Sequence, residues 1–243
     1  MHSVLLLVRF RAVGAGFDAA LRDALPRGTG LDPGLRAVFA GRMGPGDDGE
    51  RVLASVWADD DAAQAAIDAD RAPVPLDGIH GTRDGLVERL PVAVTLEPAE
   101  ASRISILRVV SGITRAGQLD GYLDEARAGT LADRAVGEGP LALYLAVDPP
   151  DRFVTLSLWG GWSHVEAATG ADHEHVDRTR HTERLATWTA EHYEVIPGLA
   201  LVDPAPGVAG TEEVDGAVVD GAVVKADAGA GVVTAIAPTE VVG

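Results

Sequence analysis

Two tryptophan-terminated runs constrain this chain more than any other feature. Arg51-Val-Leu-Ala-Ser-Val-Trp57 and Arg152-Phe-Val-Thr-Leu-Ser-Leu-Trp159 are β-rich and end alike, with the tryptophans offset by 102 residues. At that offset Ser55 meets Ser157, and Ala65 and Ala66 meet Ala167 and Ala168. Asp61-x-x-Gln64 meets Ser163-x-x-Glu166, and both have the form of a capping box, in which a short polar side chain bonds a free helical N–H. A helix is therefore expected to begin four residues beyond each tryptophan.

The remaining elements keep one order in both halves. Val4–Phe10 and Ile104–Val110 are apolar, β-branched runs that read as first strands. Arg9 and Arg108 interrupt them at an offset of 99. Phe17, Leu21 and Leu25 mark a helix in the first half. Leu119, Tyr122, Leu123 and Ala126 mark one in the second, at i, i+3, i+4 and i+7. Leu35–Ala40 and Leu141–Val147 read as second strands. The turn-rich segments Gly44–Gly49 and Asp148–Asp151 lead from them into the tryptophan strands. Val92–Leu96 and Tyr193–Ile196 complete the halves as fourth strands.

Each half thus reads β-α-β-β-α-β, the ferredoxin-like split motif, with both helices on one face of an antiparallel sheet. One such unit leaves the other sheet face uncovered, and two units in one chain can cover each other. The expected class is α+β: tandem ferredoxin-like repeats, residues 1–100 and 101–202, packed sheet to sheet. Residues 203–243 contain no aromatic residue and repeat Val-Asp-Gly-Ala-Val-Val, so they are expected to form a flexible, low-complexity acidic tail. A hairpin added to a sheet edge is the competing reading, because Val pairs and Asp-Gly turns suit strands.

The strand-ending tryptophan, the helix that follows it and the later strand around Tyr193-Glu-Val-Ile-Pro197 resemble the dimeric α/β-barrel superfamily. The resemblance is to its antibiotic biosynthesis monooxygenase-like members, in a fused two-repeat form over about residues 3–200. Single-repeat members build a barrel from two chains. The resemblance implies that one chain here builds an intramolecular dimeric α/β barrel, as a monomer or homodimer. It implies an oxidoreductase acting on an aromatic or polyketide-like small hydrophobic molecule. In some members no cofactor is needed, because a deprotonated substrate meets oxygen directly. Other members of the superfamily handle haem, so the cofactor expectation is none or haem. A non-catalytic barrel holding haem or another hydrophobic ligand, and a stress-related structural protein, are the alternatives, since fold does not settle function.

Composition narrows the partners. Acidic residues number 37 against 20 basic ones, a net charge of -17, with no Lys/Arg cluster. Nucleic acid and anionic membrane surfaces, which are bound through basic patches, are disfavoured. The absence of cysteine excludes disulfides and thiolate chemistry. There is no Walker loop, GxGxxG, GxSxG or HExxH. Val4–Val8 is too short to span a bilayer and has no basic segment before it, so a cytoplasmic location without membrane association is expected.

The second half holds Trp159, Trp162, Trp188, all three tyrosines, and His164, His173, His175, His181 and His192. The first holds Trp57, His2 and His80. A ligand site is expected in the second half. On a continuous helix His173, Asp177 and His181 would share one face. Two imidazoles and a carboxylate can bind a divalent metal, and one histidine can ligate haem iron. A solvated polar segment is the competing reading. His164 and His173 are candidate catalytic bases, His164 because a helix N-terminus favours a neutral imidazole. Trp162, Tyr122, His175 and His181 are candidate ligand-binding residues. Trp159, which shares its position with Trp57, is expected to pack in the core. Arg9 and Arg108 are expected to face solvent or, if turned inward, to bind an anion.

Overall fold

Val4–Ala12 begins with five residues, Val4–Val8, that are apolar and buried on both faces, which suits a strand with a packed layer on each side. It is β1 in the computed structural model, which describes residues 3–12, 16–24, 33–44, 48–69, 82–98, 101–170 and 182–202. The first half continues with α1 (Phe17–Ala24), β2 (Leu35–Arg42), β3 (Gly49–Trp57), α2 (Asp60–Asp68) and β4 (Thr82–Leu96). The second comprises β5 (Ile106–Thr114), α3 (Leu119–Ala135), β6 (Ala142–Asp148), β7 (Arg152–Trp159), α4 (Trp162–Thr169) and β8 (Leu185–Val202). The expected tail lies outside the described residues. No helix among the described residues is long and apolar enough to cross a membrane.

The strands form a closed antiparallel barrel in the order β1-β3-β2-β8-β5-β7-β6-β4. β4 pairs with β1 of its own half and β6 of the other. β8 likewise joins β5 to β2. The halves therefore meet through hydrogen-bonded edges as well as through their inner faces. This explains why β4 and β8 run to 15 and 18 residues, where only short strands were expected. Each serves two partners in succession, with a register shift between Val92 and Val94 of β4 against β6, and one between Ala200 and Val195 of β8 against Phe39 and Gly41 of β2.

Alternation on the strands separates two layers of core. Leu5, Leu7, Phe39, Leu107, Val109, Tyr144 and Tyr193 fill the barrel interior. Phe39 and Tyr144 meet there with ring centroids 6.1 Å apart. On the outer face of the first half, Leu6, Val8, Phe10, Leu53 and Trp57 pack under Phe17 and Leu21 of α1 and Ala63 and Ala66 of α2. Each fully buried Leu or Phe contributes roughly 1.5–3 kcal/mol.

The strand registers repeat as well. Val4 stands opposite Trp57 and Ile106 opposite Trp159. Leu6 pairs with Ser55, and Arg108 with Ser157. Arg108 therefore corresponds to Leu6, and Arg9 to Ser111. The two arginines are not equivalents, and neither is a solvated surface residue. Arg9 follows Leu5 and Leu7 into one end of the barrel. There it bonds Glu88 of β4, Glu191 of β8 at 2.8 Å and Ser111 of β5 at 3.0 Å. Glu88 also receives Arg152 of β7.

The helix starts differ from the capping boxes. Asp59 is the N-cap of α2, its side chain accepting from the Ala62 N–H at 2.9 Å. α4 begins at Trp162 behind Gly161, with no side-chain cap. Asp61 and Ser163 thus lie inside the first turns. The chain leaves the sheet at each tryptophan and turns back within two residues, so the helix begins before either residue could cap it.

Candidate functional site

On the outer face of the second half, the same layers do not close. α3 runs for 17 residues, and Tyr122 packs it on the sheet. Below α3 lies a cavity of about 90 Å³. Val110, Leu143, Leu145 and Trp159 rise from the strands, Tyr122 and Ala126 from α3, and Thr169 from α4. Polar groups enter at Arg108, Thr155, Ser157, Thr130 and Asp133.

Each of these has a local cause. Arg108, Val110, Thr155, Ser157 and Trp159 share the outward parity of β5 and β7. Tyr122 is buried and tilts against Phe153 with centroids 4.5 Å apart, which fixes the near end of α3. Arg184, just before β8, bonds Glu125 and Gln118, and so ties α3 to the sheet. Gly121 makes room for this, since a Cβ there would lie 2.7 Å from the Arg184 guanidinium. Ser157 Oγ accepts the indole N–H of Trp159 at 2.9 Å.

Two positions convert a filled layer into a cavity. Leu6 and Leu53 plug the first half and are 1% and 0% exposed. Arg108 and Thr155 stand at the equivalent places. Arg108 is 3% exposed, and its Nε–H donates to His192 Nε2 across the β5–β8 pair at 3.1 Å. Thr155 Oγ1 is buried with no hydrogen-bond partner. A hydroxyl left so is costly, by about 1–3 kcal/mol.

Of the residues expected to form the site, Tyr122 lines the cavity. Trp162 does not; its ring lies over His192, with centroids 5.5 Å apart. His164 is exposed on α4, beside Gly160 and away from the cavity lining. His173, His175, Asp177 and His181 lie outside the described residues. Among the described residues no group of three His, Asp or Glu side chains could hold a metal ion. Among the described residues no histidine lines the cavity. Arg108, Thr155, Ser157 and His192 went unrecognised as one group. The signal was present at offset 102, where outward-facing leucines become arginine and threonine.

The described residues define an α+β fold, an eight-stranded antiparallel barrel with four α-helices. A candidate monooxygenase from Lactobacillus acidophilus NCFM matches with a TM-score of 0.63 at 10% identity, over 84% of this chain and 97% of that one. A second, from Fusobacterium nucleatum subsp. nucleatum ATCC 25586, has a TM-score of 0.60 at 13% identity, over 83% and 97%. An anthrone oxidase-like protein has a TM-score of 0.53 at 13% identity, over 84% and 94%. At such identities the likeness is one of fold. No family model matches the sequence, and no curated protein does.

Proposed function

We propose that the chain is a monooxygenase-like oxidoreductase, a fused two-repeat relative of the antibiotic biosynthesis monooxygenase-like proteins, acting on an aromatic small molecule. The observation that carries this reading is the asymmetry between halves: Leu6 and Leu53 buried in the outer layer of the first, and an aromatic-lined cavity with buried polar groups at the equivalent positions of the second. The fold neighbours described as monooxygenases and as anthrone oxidase-like support the reaction class.

The cavity has room for one ring between Tyr122, Trp159 and Leu143, with larger substrates extending toward solvent. An activated CH2 beside that ring would be oxidised to a carbonyl. One oxygen atom of O2 enters the product and the other leaves as water, so the substrate supplies all four electrons. The protein's part is to bind and orient the ring, exclude water and stabilise charge on the substrate oxygen.

Oxygen uptake with dithranol, a hydroxylated anthrone, tests the reading. Enzyme-dependent uptake is expected in the unaltered chain and is expected to be lost in Ala126→Phe, which fills the cavity. Uptake that persists in a folded Ala126→Phe would place the reaction elsewhere. A chain that neither consumes oxygen with dithranol nor binds it would refute the oxidoreductase.

A further inference from the structure

Leu53 and Thr155 hold equivalent places in the two halves, between similar neighbours. Leu53 of β3 stands opposite Val8 of β1 and Ala40 of β2. Thr155 of β7 stands opposite Val110 of β5 and Leu145 of β6. Leu53 fills its layer, whereas Thr155 lines the cavity together with Val110 and Leu145. A shorter side chain accounts for the room but not for the hydroxyl, because valine has the same shape and suits a strand as well. Two other hydroxyls of the lining are engaged. Ser157 Oγ accepts from the Trp159 indole at 2.9 Å, and Thr169 Oγ1 donates to the Val165 carbonyl at 2.8 Å. Thr155 Oγ1 is buried with no hydrogen-bond partner. A buried hydroxyl of this kind costs stability unless something bonds to it.

We infer that Thr155 is the specificity-determining residue of this cavity, and that it selects an uncharged phenol by exchanging a hydrogen bond with the ligand's hydroxyl. The inference rests on the reading that the cavity is the ligand site. A threonine hydroxyl both donates and accepts, so it can meet a phenol O–H in either sense. The lining carries one guanidinium and one carboxylate, Arg108 and Asp133. Their formal charges cancel, which gives neither sign of ion an advantage. A neutral phenol gives up the hydration of one hydroxyl on entry, and Thr155 replaces that bond. Tyr122, Trp159 and Leu143 supply apolar surface for its ring. A site with a buried polar group of its own rejects the analogue that cannot bond to it, because that group is then left unpaired.

Phenol and toluene, nearly equal in shape and differing in the hydroxyl, are the probes for titration calorimetry at neutral pH, where both are uncharged. Phenol is the better hydrated of the two, so the quantity to compare between variants is the ratio of phenol affinity to toluene affinity. In Thr155→Val this ratio is expected to fall about fivefold to tenfold, the scale of one buried hydrogen bond, while toluene binds at least as tightly as before. Thr155→Ser, which keeps the hydroxyl, should keep most of the ratio. Ala126→Phe should abolish binding of both probes. An unchanged ratio in a Thr155→Val protein that still binds toluene would overturn the inference and leave the cavity reading standing; that is the result expected if a water molecule satisfies the hydroxyl. A fall of both affinities by the same factor would also overturn it, because Thr155 would then serve only the cavity's shape. Binding of neither probe by the unaltered protein, or of both by a folded Ala126→Phe, would remove the cavity reading as well.

Discussion

Trp57 and Trp159 make the same hydrogen bond, each indole N–H donating at 2.9 Å to the serine two residues earlier on its own strand. Both indoles are buried at the point where a strand leaves the barrel for a helix. The serine is thus an internal partner for a polar atom that the helix would otherwise seal from water.

Ser55→Ala is expected to destabilise the protein by about 1–3 kcal/mol, because the Trp57 N–H would remain buried without its acceptor. Urea unfolding would show the change as a lower midpoint with an unaltered slope. Stability within a few tenths of the unaltered protein would mean that the indole finds another partner.

Thr155→Val should act in the opposite sense. It removes a buried hydroxyl with no partner and keeps the shape, so stability should rise by about 1 kcal/mol, or roughly 2–4 °C in Tm for a body of this size. A lowered midpoint in urea unfolding would show instead that the hydroxyl contributes to the fold.

Glu88 lies on β4 inside the barrel end, its side chain 10% exposed, and joins Arg9 of β1 to Arg152 of β7 in the other half. Glu88→Leu leaves two guanidiniums without their shared carboxylate. Removing one partner from a buried ion pair costs about 3–5 kcal/mol. Thermal unfolding is expected to reveal a loss near the lower end, since Arg9 keeps Glu191. A loss below about 1 kcal/mol would show that this network behaves as an ordinary surface pair.

Tyr144 lies fully buried in the barrel, and its hydroxyl donates to Glu97 at 2.9 Å. Burial first, and then the charge and hydrogen bond of Glu97, push the phenol well above its ordinary value near 10. The unfolded chain loses this proton at about pH 10 while the folded one keeps it. The associated stability is therefore present below pH 10 and is lost as pH rises beyond it. Tm should decline between about pH 10 and 11.5, and the decline should be shallower in Tyr144→Phe. Tyr193, raised chiefly by burial, contributes a part that remains in that variant. Identical slopes in the two proteins would contradict the assignment.

The element order was legible because hydrophobic periodicity and the tryptophan-serine spacing are local properties of the chain. Of the aromatic residues and histidines that set the second half apart in sequence, Tyr122 and Trp159 line the described cavity. Tyr122 belongs to both the predicted stripe and the observed cavity. The length of β4 and β8 was not legible. Their second halves pair with the opposite repeat, and nothing local marks a strand's second partner.

The sequence by itself determined two similar halves and their order of strands and helices. Only the tertiary structure decided which way Arg9 and Arg108 point. Side chains alternate on a strand, so a correspondence three residues out of register assigns the opposite face. The pairings Leu6–Ser55 and Arg108–Ser157 set the true offset at 102, which sends Arg9 into the barrel and Arg108 into the cavity. Register is a property of two strands together, and that is why one strand's sequence could not supply it.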